Sequence, residues 1–265
     1  MARVSYVVVG IVALVVAGLT LVSGFGLGTL LMPVFALFFP VEVAIAATAV
    51  AHLVNNVVKL GLVGRWAVWR VVWRFGGPAM AAAFVGAGAL AWLGEMPVIA
   101  RYGVGGRVFE ATPVKVVIGV LIAGFVVVEW AARVKRARVS ERWLPVGGAV
   151  SGFFGGLSGH QGALRMVFLA RCGLTKEEIV GTSAVCAVIV DVARLVVYGA
   201  AGASARFGGA FEREALPLVG VACAGAAVGS IVGARVIEKV TLETVQRVIG
   251  VMLLVTAGLL VAGVI

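Results

Sequence analysis

His52, Asn55, Asn56 and Lys59 stand at i, i+3, i+4 and i+7 within an otherwise apolar stretch, which places all four on one face of a helix. An imidazole, two amides and an ammonium on one stripe form a basic, hydrogen-bonding surface suited to an anion. Asp191, Arg194 and Tyr198 repeat the i, i+3, i+7 interval later in the chain, with Thr182 and Ser183 about two turns earlier. With a one-residue shift, Asn56 and Lys59 align with Asp191 and Arg194. A third group lies in the glycine-rich segment from Gly155 to Arg165. If the chain unwinds at these glycines and restarts as a helix near Gly162, free backbone N–H groups and the positive end of the helix dipole converge there with Ser158, His160, Gln161 and Arg165. Such a point would hold an oxyanion.

Structural roles compete with these readings. Lys59 and Arg194 lie toward the ends of their stretches and could snorkel to an interface. Asp191 and Arg194, three apart, could neutralise each other. Arg165 could instead neutralise Asp191, with His160 a packing residue. Catalysis has little support: there is no HExxH, no GxSxG and no phosphate loop ending in Lys-Ser/Thr. Asp191 is the only acidic residue clearly inside an apolar span, so paired carboxylates are excluded. Cys172, Cys186 and Cys223 lack metal-ligand spacing and read as small core residues. No cofactor and no metal are expected.

The elements that must position these groups are membrane helices. Of 265 residues, 62% are hydrophobic and 13% charged, and the mean hydropathy is +1.13. A water-soluble fold of this length cannot hide that much apolar surface. Seven or eight stretches of about 20 apolar residues can be read, each able to cross roughly 30 Å of hydrocarbon as a helix. The predicted spans are 4–22 running into 27–39, then 43–63, 71–93, 113–132, 145–170 with a glycine-rich break, 178–200, 216–236 and 244–265. Continuous apolar runs exclude a β-barrel, which needs alternation. The net charge of +10 sits between the spans as a positive-inside signature, so nucleic acid is not expected as a partner. The first stretch, with Arg3 ahead of Val4–Val22, reads as a mature span rather than a signal peptide, because apolar sequence resumes at once.

The chain divides into a first transmembrane repeat at 1–132, a basic cytoplasmic linker at 133–143 and a second transmembrane repeat at 144–265. The segment from Ser23 to Thr29 is echoed by that from Ser151 to Gly159, and each is followed by an apolar half-span, a polar turn and a helix opening Ala47-Thr48-Ala49 or Gly181-Thr182-Ser183. Gly225, Gly229 and Gly233 form a packing ridge, read as having no polar group beside it. The loops holding Arg65, Arg70, Arg74 and the Arg133–Arg142 run should share the cytoplasmic side. The fold class expected is an all-α integral membrane protein, a polytopic bundle of two internal repeats with broken or re-entrant glycine-rich segments. Inverted repeats with both termini outside are the favoured arrangement.

These motifs resemble the TauE/SafE sulfite exporter family, also called the 4-toluene sulfonate uptake permease family. The resemblance is carried by Gly24-Phe25-Gly26-Leu27-Gly28 leading into Pro33, by Gly152-Phe153-Phe154-Gly155-Gly156-Leu157-Ser158-Gly159, by Ala47-Thr48 and Gly181-Thr182-Ser183, and by Gly64-Arg65-Trp66. It covers essentially the whole chain. His160-Gln161 departs from the more usual all-glycine run and marks a subgroup. The resemblance implies secondary transport, without ATP, of sulfite or a small organosulfonate such as sulfoacetate, often by export. The substrate-binding candidates are Arg165, Gln161, His160, Ser158, Lys59, Asn56, Asn55, His52, Arg194, Thr182 and Ser183. The expected setting is the plasma membrane of a bacterium or archaeon. Candidate partners are the sulfur anion, the lipid bilayer, a second copy in a homodimer, and a coupling proton or sodium ion. The competing reading is a non-transporting assembly or insertion factor whose polar stripe binds a partner helix.

Overall fold

A computed structural model describes residues 2–23, 27–132, 140–202, 215–236 and 242–265. Ten helices are numbered in chain order. They are α1 (Ala2–Ser23), α2 (Leu27–Ala36), α3 (Val41–Val63), α4 (Trp69–Gly94), α5 (Pro113–Ala132), α6 (Leu144–Ser158), α7 (Gly162–Leu169), α8 (Lys176–Gly202), α9 (Leu216–Val236) and α10 (Leu242–Val261). Four stretches among them, Val41–Trp66, Trp69–Gly94, Lys176–Ala201 and Leu216–Gly233, are long and apolar enough to cross a membrane by length and composition. Shorter apolar helices cover Tyr6–Gly18, Pro113–Val127 and Gly250–Val261. Val85, Val120, Val196 and Val255 lie exposed on the outer surface, as a hydrocarbon solvent requires. The chain is an all-α membrane protein.

One element was not expected. Strands β1 (Ala100–Val104) and β2 (Arg107–Ala111) pair as an antiparallel hairpin between α4 and α5. Its two turn residues, Gly105 and Gly106, both have positive φ, as a tight two-residue hairpin demands.

Contacts at the helix ends fix the direction of each helix. At one end of the bundle, Arg70 and Arg74 donate to Glu141 at 2.7 and 3.3 Å, joining the start of α4 to the segment entering α6. Gly181 packs there on the backbone of Val63 and Ala67, and the Val68 N–H donates to the Thr182 hydroxyl at 3.0 Å. At the opposite end Gly94 meets Glu42, the Lys115 ammonium donates to the carbonyls of Glu110 and Gly263, and the Tyr102 hydroxyl donates to the Ala262 carbonyl. Hence α3 ends where α8 begins, and α5 begins where α10 ends.

α6 and α7 both have their outer ends at the Arg-rich end, since the Phe168 ring lies on Gly147 and beside Phe75. They form a helical hairpin that enters and leaves on one side. Its turn is Gly159, which caps α6 at φ +79°. With 15 residues, α6 reaches about 22 Å from that end.

The principal helix contacts come in matched pairs. α1 packs on α9 and α4 on α6; α3 packs on α9 and α4 on α8; α3 meets α8, and α5 meets α10. Exchanging α1–α5 for α6–α10 maps this set onto itself. The closest pairs depend on glycine: a Cβ at Gly148, Gly152 or Gly156 would overlap the main chain of Phe75, Ala79 or Ala83 on α4, and one at Gly225, Gly229 or Gly233 would overlap α1. The Gly-rich segment ahead of Gly159 therefore stays helical and uses its glycines for packing. Only Gly159 breaks it.

Two expected features sit differently. Thr48 and Thr182 do not open their helices, since α3 starts at Val41 and α8 at Lys176. Residues 24–26 of the first glycine segment and 133–139 of the linker lie outside the described residues.

Candidate functional site

The two glycine-rich segments meet at the centre. A Cβ on Gly28 would lie 3.4 Å from the Gly159 carbonyl oxygen, 3.5 Å from the Thr48 methyl and 3.9 Å from the His52 ring. The stripe of α3 and the charged turn of α8 converge on the same place because those helices pack against each other.

Asp191 is the hub. It is fully buried, and each carboxylate oxygen is engaged. Oδ2 lies 2.7 Å from His52 Nδ1 and accepts from Asn56 Nδ2 at 2.7 Å. Oδ1 accepts from Gln161 Nε2 at 3.1 Å and pairs with Arg194 Nη2 at 2.8 Å. Arg194, also fully buried, donates in addition to the Gly155 carbonyl at 3.4 Å. It is held inside the bundle rather than reaching an interface. Neutralisation of Asp191 thus falls to Arg194, with the amides and imidazole completing the shell.

Arg165 stands one step away. Its Nε donates to Ser183 at 2.8 Å and its Nη1 to Gln161 Oε1 at 3.2 Å. Gln161 is consequently a bridge, giving its N–H to Asp191 and accepting from Arg165, while its own carbonyl accepts from Ser151. Among the described residues no carboxylate forms an ion pair with Arg165. The helix restarts at Gly162, so Arg165 sits in the first turn of α7 beside N–H groups that have no intrahelical acceptor. Lys59 is buried at 8% exposure on the α3 stripe, with Arg165 and Asp191 as its charged neighbours.

The remaining expected residues divide. His160 is at the hairpin tip: Nδ1 faces the Ser158 carbonyl at 2.9 Å, the ring stacks on Phe125 at 5.8 Å, and Nε2 is buried without a partner among the described residues. The Ser158 hydroxyl returns to the Phe154 carbonyl at 3.0 Å. Asn55 accepts from Ser230 on α9 and so ties two helices together. That contact corrects the reading of the glycine ridge on α9, because Ser230 follows Gly229 directly and is the polar group beside it. The Thr182 hydroxyl accepts from Val68 at the Arg-rich end, in a packing role. Three contributors carried too little signal in sequence: Ser151 and Phe125, just described, and Thr48, whose hydroxyl is buried without a partner among the described residues.

No group of metal-binding side chains occurs among the described residues. Cys172, in the turn after α7, donates to the Phe168 carbonyl at 3.1 Å, and burial pushes its thiol pKa up. A thiol held neutral in this way packs rather than ligates.

A profile of the sulfite exporter TauE/SafE family matches residues 6–260. No curated protein and no solved structure matches the chain. The matched region takes in every residue of the site, from Gly28 to Arg194, and the chain belongs to the sulfite exporter TauE/SafE family, a family of membrane transporters and not of enzymes.

Proposed function

We propose that this protein is a secondary transporter that carries sulfite or a small sulfonate such as sulfoacetate across the plasma membrane, outward when the anion accumulates inside. One observation carries the reading: Arg165, nine-tenths buried in the first turn of α7, has only neutral partners among the described residues. A buried guanidinium without a counter-charge is strongly unfavourable unless an anion completes it. Its forked donors suit two oxygens of a sulfur oxyanion, and the free N–H groups of the first turn of α7 add to the attraction.

The two halves, 1–132 and 144–265, act as inverted repeats flanking the 133–143 linker. The antiparallel course of α3 against α8, and of α5 against α10, supports this arrangement. So does the set of helix contacts that survives exchange of the halves. A site beside the break at Gly159, which Gly28 of the first half approaches, is where such repeats would open alternately to either side. By the positive-inside rule the Arg70–Glu141 end is cytoplasmic, which leaves both termini outside.

The competing reading, a partner-binding assembly factor, needs a free polar stripe. His52 and Asn56 are instead buried against Asp191 of α8. Reconstitution tests the choice. Liposomes containing the protein should exchange labelled sulfite or sulfoacetate faster than empty vesicles. Equal rates with every anion would overturn the transport reading.

A further inference from the structure

The chain has two histidines, and both are buried near the place where Gly28 approaches Gly159. Their surroundings differ. Among the described residues, His160 has a backbone carbonyl and an aromatic face but no carboxylate to hold a charged ring. His52 has Asp191, with Nδ1 2.7 Å from Oδ2.

That distance assigns the tautomer. A lone pair on Nδ1 facing a carboxylate oxygen at 2.7 Å would be repelled, so Nδ1 carries a proton and donates it to Asp191. Asn56 Nδ2 then donates to Asp191 at 2.7 Å, and its 2.9 Å approach to His52 Nδ1 is a contact between two donors. Neutral His52 is left with its lone pair on Nε2, which has no partner among the described residues. A proton arriving there creates an imidazolium whose carboxylate is already in place.

Neighbouring charges decide when that proton arrives. α8 contributes Asp191 and Arg194, α3 contributes Lys59, and the α6–α7 hairpin contributes Arg165 and His160. Even leaving Lys59 aside, one carboxylate stands among two guanidiniums, and a further positive charge is unfavourable there without an added anion. An anion beside Arg165 reverses that balance. Building on the anion-transport reading, we infer that the anion and a proton load together, with His52 Nε2 as the proton-carrying atom and Asp191 holding the imidazolium. The proton bound from one side leaves on the other with the anion. A monoanion then crosses without net charge, and direction follows the combined gradient of anion and proton.

The test uses purified full-length protein in weak buffer with a pH indicator, titrated with thiosulfate, isethionate and sulfoacetate, none of which takes up a proton near neutral pH. Binding is followed in parallel by melting temperature. The expected result is about one proton taken up per anion bound, with affinity falling about tenfold per pH unit on the alkaline side of the His52 titration. In His52→Gln the protons taken up per anion bound should drop to zero, whatever affinity remains. Anion binding without proton uptake in the unsubstituted protein would refute the coupling and leave transport standing. Retained uptake in His52→Gln would refute the assignment to His52. If that variant does not fold, affinity in the unsubstituted protein decides, and a value unchanged between about pH 5 and 9 refutes the inference. If none of the three anions, nor sulfite, binds or exchanges, the transport reading falls and the coupling with it.

Discussion

Arg165 and Arg194 are both buried guanidiniums, and they should respond to the same substitution in opposite ways. Arg194 lies 2.8 Å from Asp191 with neither side chain exposed. Replacing it with Gln leaves a buried carboxylate short of its counter-charge, which costs roughly 3–5 kcal/mol and should deplete the folded protein. Arg165 has Ser183 and Gln161 as partners. Its loss removes two hydrogen bonds from a charged donor, roughly 1.5–3 kcal/mol each, but also removes an uncompensated buried charge of comparable or greater cost. The two terms offset, so Arg165→Gln should fold with stability within about 2 kcal/mol of the parent.

Anion affinity should behave otherwise. Two charge-assisted bonds to the anion, together roughly 3–6 kcal/mol, correspond to a loss of about 150- to 25,000-fold in affinity. Arg165→Lys should fail as well, because an ammonium cannot reproduce the fork. Detergent-solubilised yield, melting temperature and sulfite or sulfoacetate binding, measured on all three variants, decide the matter. An Arg165→Gln protein that unfolds and is rescued by Asp191→Asn would show that Arg165 serves as an ion-pair partner. Unchanged affinity in a folded Arg165→Gln protein would remove it from the site.

Gly229→Leu, whose side chain would run into the backbone of Leu14, should abolish folded protein, whereas Gly220→Leu, which has open space, should not; comparable yields would refute the packing assigned to α9. Cysteine placed at Gly105 in the hairpin should react with an impermeant reagent in intact cells, and cysteine at Arg138 should not; the reverse pattern would invert the topology. Ser230→Ala and Asn55→Ala should each lower stability by about 0.6 kcal/mol or more, with the double variant no worse than either single one. Additive losses would mean that the two side chains do not act on each other.

The helices were legible because their cause is local. Apolar length alone placed the helices at 113–132 and 216–236 where they are observed, and the i, i+3, i+4, i+7 stripe of α3 followed from helical geometry. The restart at Gly162 was also legible, since a break needs glycine and Gly159 supplies the positive φ. Gly148, Gly152 and Gly156 were not separable from it in kind. Whether a glycine breaks a helix or lets another backbone approach depends on what lies opposite, and α4 is more than fifty residues away in sequence. The β-hairpin escaped a search for apolar spans, although Gly105-Gly106 between alternating residues was its signal. The partners of Asp191 were beyond local reasoning altogether: Arg194 is one turn away, but His52 and Asn56 arrive from a helix 139 and 135 residues earlier.

That separation bears on mechanism. Arg165, Gln161, Ser183, Asp191 and Arg194 belong to the second half, and the hydrogen bonds among them can survive movement of that half as a rigid body. The contacts of His52 and Asn56 with Asp191 cross between the halves. In the inverted-repeat reading proposed above, rocking of one half against the other would lengthen or break these two contacts along with the others that cross, leaving the Asp191 charge balanced by Arg194 while Gln161 still donates to it. The strength of the His52 contact depends on its proton, because an imidazolium pairs with a carboxylate and a neutral ring only hydrogen-bonds to it. In the transport reading, His52–Asp191 is therefore a crossing contact whose strength changes with protonation, and the pair inferred to take the proton would also affect how freely the two halves move.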